Sequence, residues 1–179
     1  AAIIAAAELP RRLGVRYWQF TLTATDANRF AIRLARHVTG RPKVLVHHHC
    51  YHGSVDESFA WLDADRRVIP RRGNLGPPVP LSETTRVVEI NDLDGLEREL
   101  AHRGAAVFGP APPSGGSVPR DGGYPGPARE PPRRYGTLLI NDETHTICAG
   151  PGGYTGAHDL EPDIVTIGKT IGGGIPAGA

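Results

Sequence analysis

The sequence has 179 residues, of which 39% are hydrophobic and 22% charged, with 20 Lys and Arg against 19 Asp and Glu. This length provides one domain with a sizeable core, and a net charge of +1 excludes the basic surface that attracts nucleic acids or anionic membranes. No apolar run approaches the ~18 residues of a membrane span, and two cysteines do not make a disulfide framework, so a reducing cytoplasm is the expected compartment.

Both ends of the sequence suggest a piece of a longer protein. Met is absent, even at position 1, and the chain stops in the apolar, glycine-rich run 171–179. The apolar start at residues 1–7 has no basic residue before it, so it predicts the end of a buried helix rather than a signal peptide.

The first predicted helix covers residues 26–38. Its apolar side chains recur at helical spacing: Ala27, Phe30, Ala31, Leu34, Ala35 and Val38. Thr25 or Asp26 can cap the start, and Gly40 followed by Pro42 ends the helix. These signals predict one helix with defined ends.

A second helix is predicted over residues 94–102, opened by a capping box of Asp94 and Glu97. Short apolar runs predict five strands, at 43–46, 86–90, 105–108, 137–140 and 163–167. Because strands separated by helices form parallel sheets, we expect an α/β fold with a mainly parallel sheet and flanking helices on both faces.

Two stretches interrupt this alternation. Residues 62–85 are polar with Pro and Gly, and predict a long surface loop. In residues 109–136, fifteen of 28 positions are Gly or Pro, a density that excludes a helix although a parallel sheet requires a crossover there. The second stretch is therefore either a long excursion or a locally altered sequence.

Small residues open the first predicted helix, at positions 23–28. Free backbone N–H groups and the helix dipole make such a start an anion site, and the hydroxyls of Thr23 and Thr25 add donors. A Thr-Asp pair before an apolar run is more often an ordinary N-cap, so this feature alone leaves both interpretations open.

The segment Cys50-Tyr51-His52-Gly53 follows the first predicted strand. An aromatic ring at a strand end can stack on a flat cofactor, or it can close the edge of the core. The neighbouring histidines also suggest a metal, but alternate residues of a strand point to opposite faces. At most His48, Cys50 and His52 share one side. We therefore predict no metal site.

A carboxylate and an amine follow two later strands. Asp142 closely follows the apolar residues 138–140; a buried carboxylate there requires a cation such as a protonated pyridine nitrogen, although a helix cap or an ion pair is commoner. Lys169 lies between a predicted strand and the glycines 172–174, where we expect it to be desolvated and nucleophilic towards a carbonyl. The alternative is a surface lysine, but only Lys43 and Lys169 occur in the chain, which favours a function.

Together, these clusters resemble class III aminotransferases in order and spacing. Residues 23–43 are similar to the family's phosphate-binding turn and helix, and Tyr51-His52-Gly53 to its cofactor-stacking motif. Residues 142–146 resemble the segment whose Asp pairs with the pyridine nitrogen, and residues 163–174 the stretch that carries the Schiff-base lysine. Glutamate-1-semialdehyde aminomutases belong to the same family.

The resemblance implies a PLP-dependent transferase of fold type I, with residues 1–179 as part of the PLP-binding large domain, lacking an N-terminal segment and the C-terminal small domain. It implies pyridoxal 5'-phosphate (PLP) as the cofactor and Lys169 as the catalytic residue that holds it as a Schiff base. The implied cofactor-binding residues are Ala24 and Thr25 at the phosphate, Tyr51 and His52 in the stacking motif, Asp142 at the ring nitrogen, and Lys169.

The implied activity is transfer of an amino group between an amino acid or amine and a keto acid or aldehyde, in a cytoplasmic homodimer. A glutamate-1-semialdehyde-type aminomutase and a non-catalytic fragment or degenerate homologue are the alternatives. The second alternative rests on the ends of the sequence and on the Gly/Pro-rich stretch 109–136. Other departures from the family pattern are Ala24 in place of a usual glycine, the loss of a usual Glu at Phe108-Gly109-Pro110, and Asn141 in place of an apolar residue.

Overall fold

The computed structural model describes residues 2–109 and 130–179. The strands are β1 (Val44–His47), β2 (Ala60–Leu62), β3 (Val68–Pro70), β4 (Thr85–Val88), β5 (Ala106–Phe108), β6 (Leu138–Asp142) and β7 (Ile164–Thr166). The α-helices are α1 (Ala2–Leu13), α2 (Ala24–Thr39), α3 (Leu81–Thr84), α4 (Leu93–Ala101), α5 (Glu130–Arg134) and α6 (Gly153–Ala157). Short 3-10 helices form at Asp56–Ser58, Ile147–Ala149 and Lys169–Gly172.

Five strands form one parallel sheet in the order β4-β1-β5-β6-β7. All five predicted strands are present, with bounds within two residues of those expected. Since β1 lies between β4 and β5, chain connections cross over the sheet and bring helices to its faces. The predicted α/β fold is therefore confirmed.

Alternate residues of the strands build cores on opposite faces of the sheet. On one face, Val44 and Val46 of β1 pack with Ala31, Ile32 and Ala35 of α2. On the other, Leu45, Val107 and Leu139 pack with Leu96 and Leu100 of α4. This alternation follows from the two-residue period of a strand, and it explains why the strand sequences are apolar throughout.

The start of α2 differs from the prediction. Thr23, rather than Thr25 or Asp26, is the N-cap, and its hydroxyl accepts a hydrogen bond from Asp26 N at 3.1 Å. The hydrophobic spacing marks where the helix becomes buried, at Ala27. The N-cap is the residue at which the backbone changes from extended to helical geometry, and that residue is Thr23. The predicted end at Gly40 is confirmed by its left-handed φ of 67°.

The N-cap of α4 was also predicted at the wrong residue. Asp92, not Asp94, accepts a hydrogen bond from Gly95 N at 2.7 Å. Glu97 does not close a capping box, because its carboxylate instead accepts a hydrogen bond from the Tyr135 hydroxyl at 2.6 Å.

Two stretches that were expected to be irregular contain helices or strands. Within residues 62–85, β3 pairs antiparallel with β2 and α3 precedes β4, so the predicted long loop is wrong. Residues 110–129 lie outside the described part of the chain, but α5 falls within the stretch predicted to exclude a helix. Its prolines occupy the first turn, where a missing N–H breaks no intrahelical hydrogen bond.

The amino-terminal helix is present but its apolar start is not buried. Ile4 of α1 is 70% exposed, and the helix packs on the core through Leu9 and Leu13. Among residues 2–109 and 130–179, none of the helices has the length and apolar composition needed to span a membrane.

Candidate active site

A cavity of about 330 Å³ lies at the carboxyl ends of β1, β6 and β7, where open α/β sheets bind ligands. Five of the six predicted site residues line it: Ala24, Thr25, Tyr51, Asp142 and Lys169. The sixth, His52, lies behind Asp142 and is buried. The structure therefore brings the separate sequence clusters together around one cavity.

The amino end of α2 forms one wall of this cavity. Ala24 and Thr25 are its first two residues, so their backbone N–H groups have no acceptor within the helix. Gly168 approaches Ala24 closely: a Cβ on Gly168 would lie 2.7 Å from the Ala24 Cβ. The absence of a side chain at Gly168 therefore leaves room for the Ala24 methyl group.

Gly53 fixes the position of Thr25 from the other side. Gly53 has a φ of 83°, and a Cβ built on it would lie 2.9 Å from the Thr25 Cα. Ser54 N donates a hydrogen bond to the Thr25 hydroxyl at 3.2 Å. Only glycine allows this contact, which joins the turn after β1 to the start of α2.

Asp142 ends β6 with its side chain only 4% exposed. Its Oδ2 accepts hydrogen bonds from His52 Nδ1 and Asn28 Nδ2, both at 2.9 Å, and its Oδ1 accepts one from Thr144 N at 3.0 Å. Burial alone would raise the pKa of Asp142, but the hydrogen bond and charge of His52, with Thr144, lower it to about 2. The cavity therefore contains an ionised carboxylate.

His52 supports Asp142 from outside the cavity. Its ring stacks on Phe108 with centroids 4.3 Å apart. Burial lowers the pKa of His52, but the neighbouring Cys50 sulfur and the Asp142 carboxylate together outweigh burial and raise it to about 10. His52 therefore acts on the cavity through Asp142.

Asn28 is a site residue that the sequence reasoning missed. It is fully buried on the inner face of α2, between Asp142 and Thr166. A detectable signal was present, because Asn28 is a polar residue within the otherwise apolar stripe of Ala27, Ala31 and Ile32.

Lys169 follows β7 and is the first residue of the 3-10 helix Lys169–Gly172, with a left-handed φ of 51°. Its Nζ lies 3.0 Å from His145 Nε2, and an ammonium can only donate, so the imidazole nitrogen accepts. The expectation that Lys169 is desolvated is wrong: its side chain is exposed, because the chain leaves the core at Gly168. Lys43 lies elsewhere and donates to Ser82 O at 2.7 Å.

Two further side chains shape the cavity. The Tyr51 ring lines it and lies against Phe59, with centroids 6.1 Å apart, and against the Arg71 guanidinium, 5.4 Å from the Tyr51 centroid. Thr144 is buried, lines the same cavity, and its hydroxyl has no hydrogen-bond partner among the described residues.

The three candidate metal ligands have other environments. His48 Nδ1 accepts a hydrogen bond from Leu62 N at 3.0 Å, His52 pairs with Asp142, and Cys50 is buried. Within the described ranges, no group of three or more His, Cys, Asp or Glu side chains is arranged to hold a metal ion.

Known proteins are similar to this chain in sequence and fold. The family model for class III aminotransferases matches residues 5–179. The glutamate-1-semialdehyde 2,1-aminomutases of Persephonella marina and Sulfurihydrogenibium sp. are each 34% identical over 166 residues, which is 90% of this chain and 39% of theirs.

Two solved structures extend the comparison. A glutamate-1-semialdehyde aminomutase from Pseudomonas aeruginosa, in complex with PMP, is 50% identical with a TM-score of 0.92, covering 99% of this chain and 40% of that one. An omega-transaminase from Sphaerobacter thermophilus is 32% identical with a TM-score of 0.86, covering 98% and 43%. The chain thus spans about two fifths of the length of these relatives. With nearly its whole length matched, the chain belongs to the class III aminotransferase family.

Proposed function

We propose that the protein binds PLP in this cavity and transfers an amino group between an amino acid or amine and a keto acid or aldehyde. The observation that carries the proposal is the convergence of Lys169, Asp142, Tyr51 and the first residues of α2 on one cavity. Such a set suits a flat cationic ring that carries an aldehyde and a phosphate. The chain's family membership supports the same activity.

The cavity walls fit PLP chemically. Asp142 is ionised and buried, and a buried carboxylate favours a cationic partner. The Thr144 hydroxyl, buried and without a partner among the described residues, could bond a polar group on such a ligand. The free N–H groups of Ala24 and Thr25 at the positive end of the α2 dipole suit a phosphate.

When bound, PLP supplies an aldehyde that condenses with amines and a ring that withdraws electrons from the substrate. Asp142 would hold the proton on the ring nitrogen, since its own pKa is far below neutrality. Tyr51 would cover one face of the ring and exclude water from it. Lys169 would bond the cofactor and afterwards move a proton at Nζ, with His145 Nε2 beside it as a proton acceptor.

The amino-transfer half-reaction tests this function. The full-length protein is loaded with PLP and mixed with an amino donor, and conversion of PLP to PMP is followed by absorbance. We expect Lys169→Ala to slow conversion by roughly 10²–10⁴-fold, because a positioned base is lost. Lys43→Ala is the matched control and should react at the wild-type rate. Equal rates for wild type and Lys169→Ala would reject Lys169 as the catalytic residue, and no conversion by the wild type would favour the non-catalytic alternative.

A glutamate-1-semialdehyde-type aminomutase is the second candidate. Two solved structures of that name, at 50% and 51% identity, are more similar to this chain than the omega-transaminase at 32%. An aminomutase moves an amino group between two carbons of one substrate, so it requires no separate acceptor. Isomerisation of an amino aldehyde without any keto acid present would support this candidate.

We also propose that the chain is part of the PLP-binding large domain of a cytoplasmic homodimer. Relatives more than twice as long support the first point. Both cysteines are free, which suits a reducing compartment. Phe30, Leu34 and Val38 expose 50%, 52% and 63% of their surface along α2, an apolar stripe that a partner subunit would cover. Light scattering on the full-length protein would measure twice the chain mass if the dimer is correct.

A further inference from the structure

Asn28 makes three hydrogen bonds from a fully buried position on α2. Its Nδ2 donates to Asp142 Oδ2 at 2.9 Å and to the carbonyl oxygen of His52 at 3.0 Å. Its Oδ1 accepts from the Thr166 hydroxyl at 2.6 Å. One neutral amide thus joins α2, the turn after β1, the end of β6 and the end of β7.

The Asp142 carboxylate and the His52 carbonyl fix which way this amide points, because both can only accept, and the Thr166 hydroxyl completes its hydrogen bonding. With the present orientation, the two N–H groups face two oxygen acceptors and the amide oxygen faces a hydroxyl donor. A flipped Asn28 amide would place its oxygen against the Asp142 carboxylate and the His52 carbonyl, leaving both acceptors without this donor. Thr166 is buried at 2% exposure, so water cannot replace its hydroxyl in this role.

These hydrogen bonds help to hold the Asp142 carboxylate in place. Asn28 and His52 both donate to Oδ2, while Thr144 N donates to Oδ1, so three donors fix the carboxylate at the cavity wall. Asn28 adds a hydrogen bond without adding charge. The net charge of the Asp142–His52 pair is therefore unchanged, and the carboxylate remains available to a cation in the cavity.

We propose that Asn28, anchored by Thr166, is a positioning residue that holds the Asp142 carboxylate in place to recognise the ring nitrogen of the cofactor. This inference rests on the proposed function. It predicts that changes at Asn28 or Thr166 weaken recognition of the ring nitrogen selectively, whereas general damage to the cavity would weaken every ligand equally.

Two probes separate these effects. The first is 4'-deoxypyridoxine 5'-phosphate, which has the ring nitrogen and phosphate but no aldehyde for Lys169. The second is the same molecule with carbon in place of the ring nitrogen. The dissociation constants of both are measured by equilibrium dialysis with the full-length protein. The dissociation constant of the carbon probe divided by that of the nitrogen probe reports recognition of the nitrogen alone.

Asn28→Ala should weaken the nitrogen probe by about 10–100-fold, the effect of losing a hydrogen bond to a charged group, and change binding of the carbon probe little. Thr166→Val should lower this ratio, as Asn28→Ala does, because it removes the hydroxyl that donates to Asn28. Thr166→Ser keeps a hydroxyl and should give a ratio close to that of the wild type. Thr137→Val is the matched control, because Thr137 is equally buried, donates to Gly104 O at 3.1 Å, and lies at the other end of β6. It should leave the ratio unchanged.

The outcomes are distinct. If Asn28→Ala does not fold, as judged by circular dichroism, the Thr166 variants decide the question. Equal weakening of both probes, or a ratio unchanged from wild type, overturns the positioning role. A wild type that binds neither probe overturns the proposed function itself, and this inference with it.

Discussion

Asp142 and His52 form a buried pair whose contribution to stability depends on pH. Folding lowers the pKa of Asp142 from 3.8 to about 2, so its contribution is present above pH 3.8 and is lost as the pH falls through 2. Folding raises the pKa of His52 from 6.5 to about 10. Its contribution is therefore complete below pH 6.5 and is lost as the pH rises through 10. The pair stabilises the fold most between pH 3.8 and 6.5.

His52→Gln tests this pH dependence, because glutamine can donate a hydrogen bond but carries no charge. We expect it to lower the free energy of unfolding by about 1.5–3 kcal/mol in the acidic part of this window, and by progressively less as the pH approaches 10. Urea unfolding at several pH values measures the difference. His37→Gln, at an exposed position on α2, is the control and should have little effect. A difference that does not change with pH would show that folding does not shift the pKa of His52.

Gly53→Ala tests the contact between the turn after β1 and the start of α2. The added methyl group would collide with Thr25 at a left-handed φ of 83°. We expect a loss of about 2 kcal/mol or more in unfolding free energy, together with weaker binding of phosphate-bearing ligands.

Gly14→Ala is its matched control. Gly14 has a similar φ of 72° but nothing within 4 Å of an added Cβ, so only the backbone strain of about 1 kcal/mol should remain. Equal losses for the two variants, with unchanged phosphate binding, would show that the Thr25 contact is unimportant.

Five of the six site residues predicted from the sequence line the cavity, but their environments were not predicted. Asp142, Tyr51 and Lys169 were found because each follows a strand and matches a motif. Asn28 was missed because its partners are as far as 138 positions away, and no local pattern indicates such a hydrogen bond. The exposure of Lys169 was predicted wrongly because burial of the preceding strand does not extend past Gly168.

At the scale of elements, Glu143 holds the segment after β6 in place. Its buried carboxylate accepts hydrogen bonds from Tyr154 N, Thr155 N and the hydroxyls of Thr155 and Thr146. The neighbouring Asn141 donates to the same Thr155 hydroxyl at 3.1 Å. Polar contacts thus connect β6 to α6.

Glu143→Gln replaces one of these acceptor oxygens with an N–H donor that faces other donors. We expect the free energy of unfolding to fall by about 1.5–3 kcal/mol, measured by urea unfolding near neutral pH. Glu83→Gln, at an exposed position on α3, is the control and should change it by less than about 0.5 kcal/mol. A Glu143→Gln protein as stable as wild type would mean that α6 is held by other contacts.

Element positions were predictable where hydrophobic patterning was strong. The five parallel strands are buried on both faces of the sheet, so each appears in the sequence as a short run of apolar residues. The N-caps of α2 and α4 were displaced because local backbone geometry, not hydrophobic spacing, selects the cap. The hairpin of β2 and β3 was not predicted, because prolines and glycines near it in the sequence indicated a loop.

At the scale of the whole molecule, the α/β class followed from alternating helices and strands, but the strand order did not. Placing β1 between β4 and β5 depends on contacts between distant residues, such as Val44 with both Thr85 and Ala106. Because all five strands are parallel, the carboxyl ends of β1, β6 and β7, and with them Tyr51, Asp142 and Lys169, lie at one edge of the sheet.

Lys169 is the residue that we propose bonds PLP in this cavity, and the proposed amino transfer depends on it. Borohydride reduction of the PLP-loaded full-length protein, followed by peptide mass spectrometry, tests it most directly, because Lys43 provides an internal control. We expect the added mass of reduced PLP on the peptide that contains Lys169 and none on the peptide that contains Lys43. Equal labelling of both lysines, or none at Lys169, would contradict it.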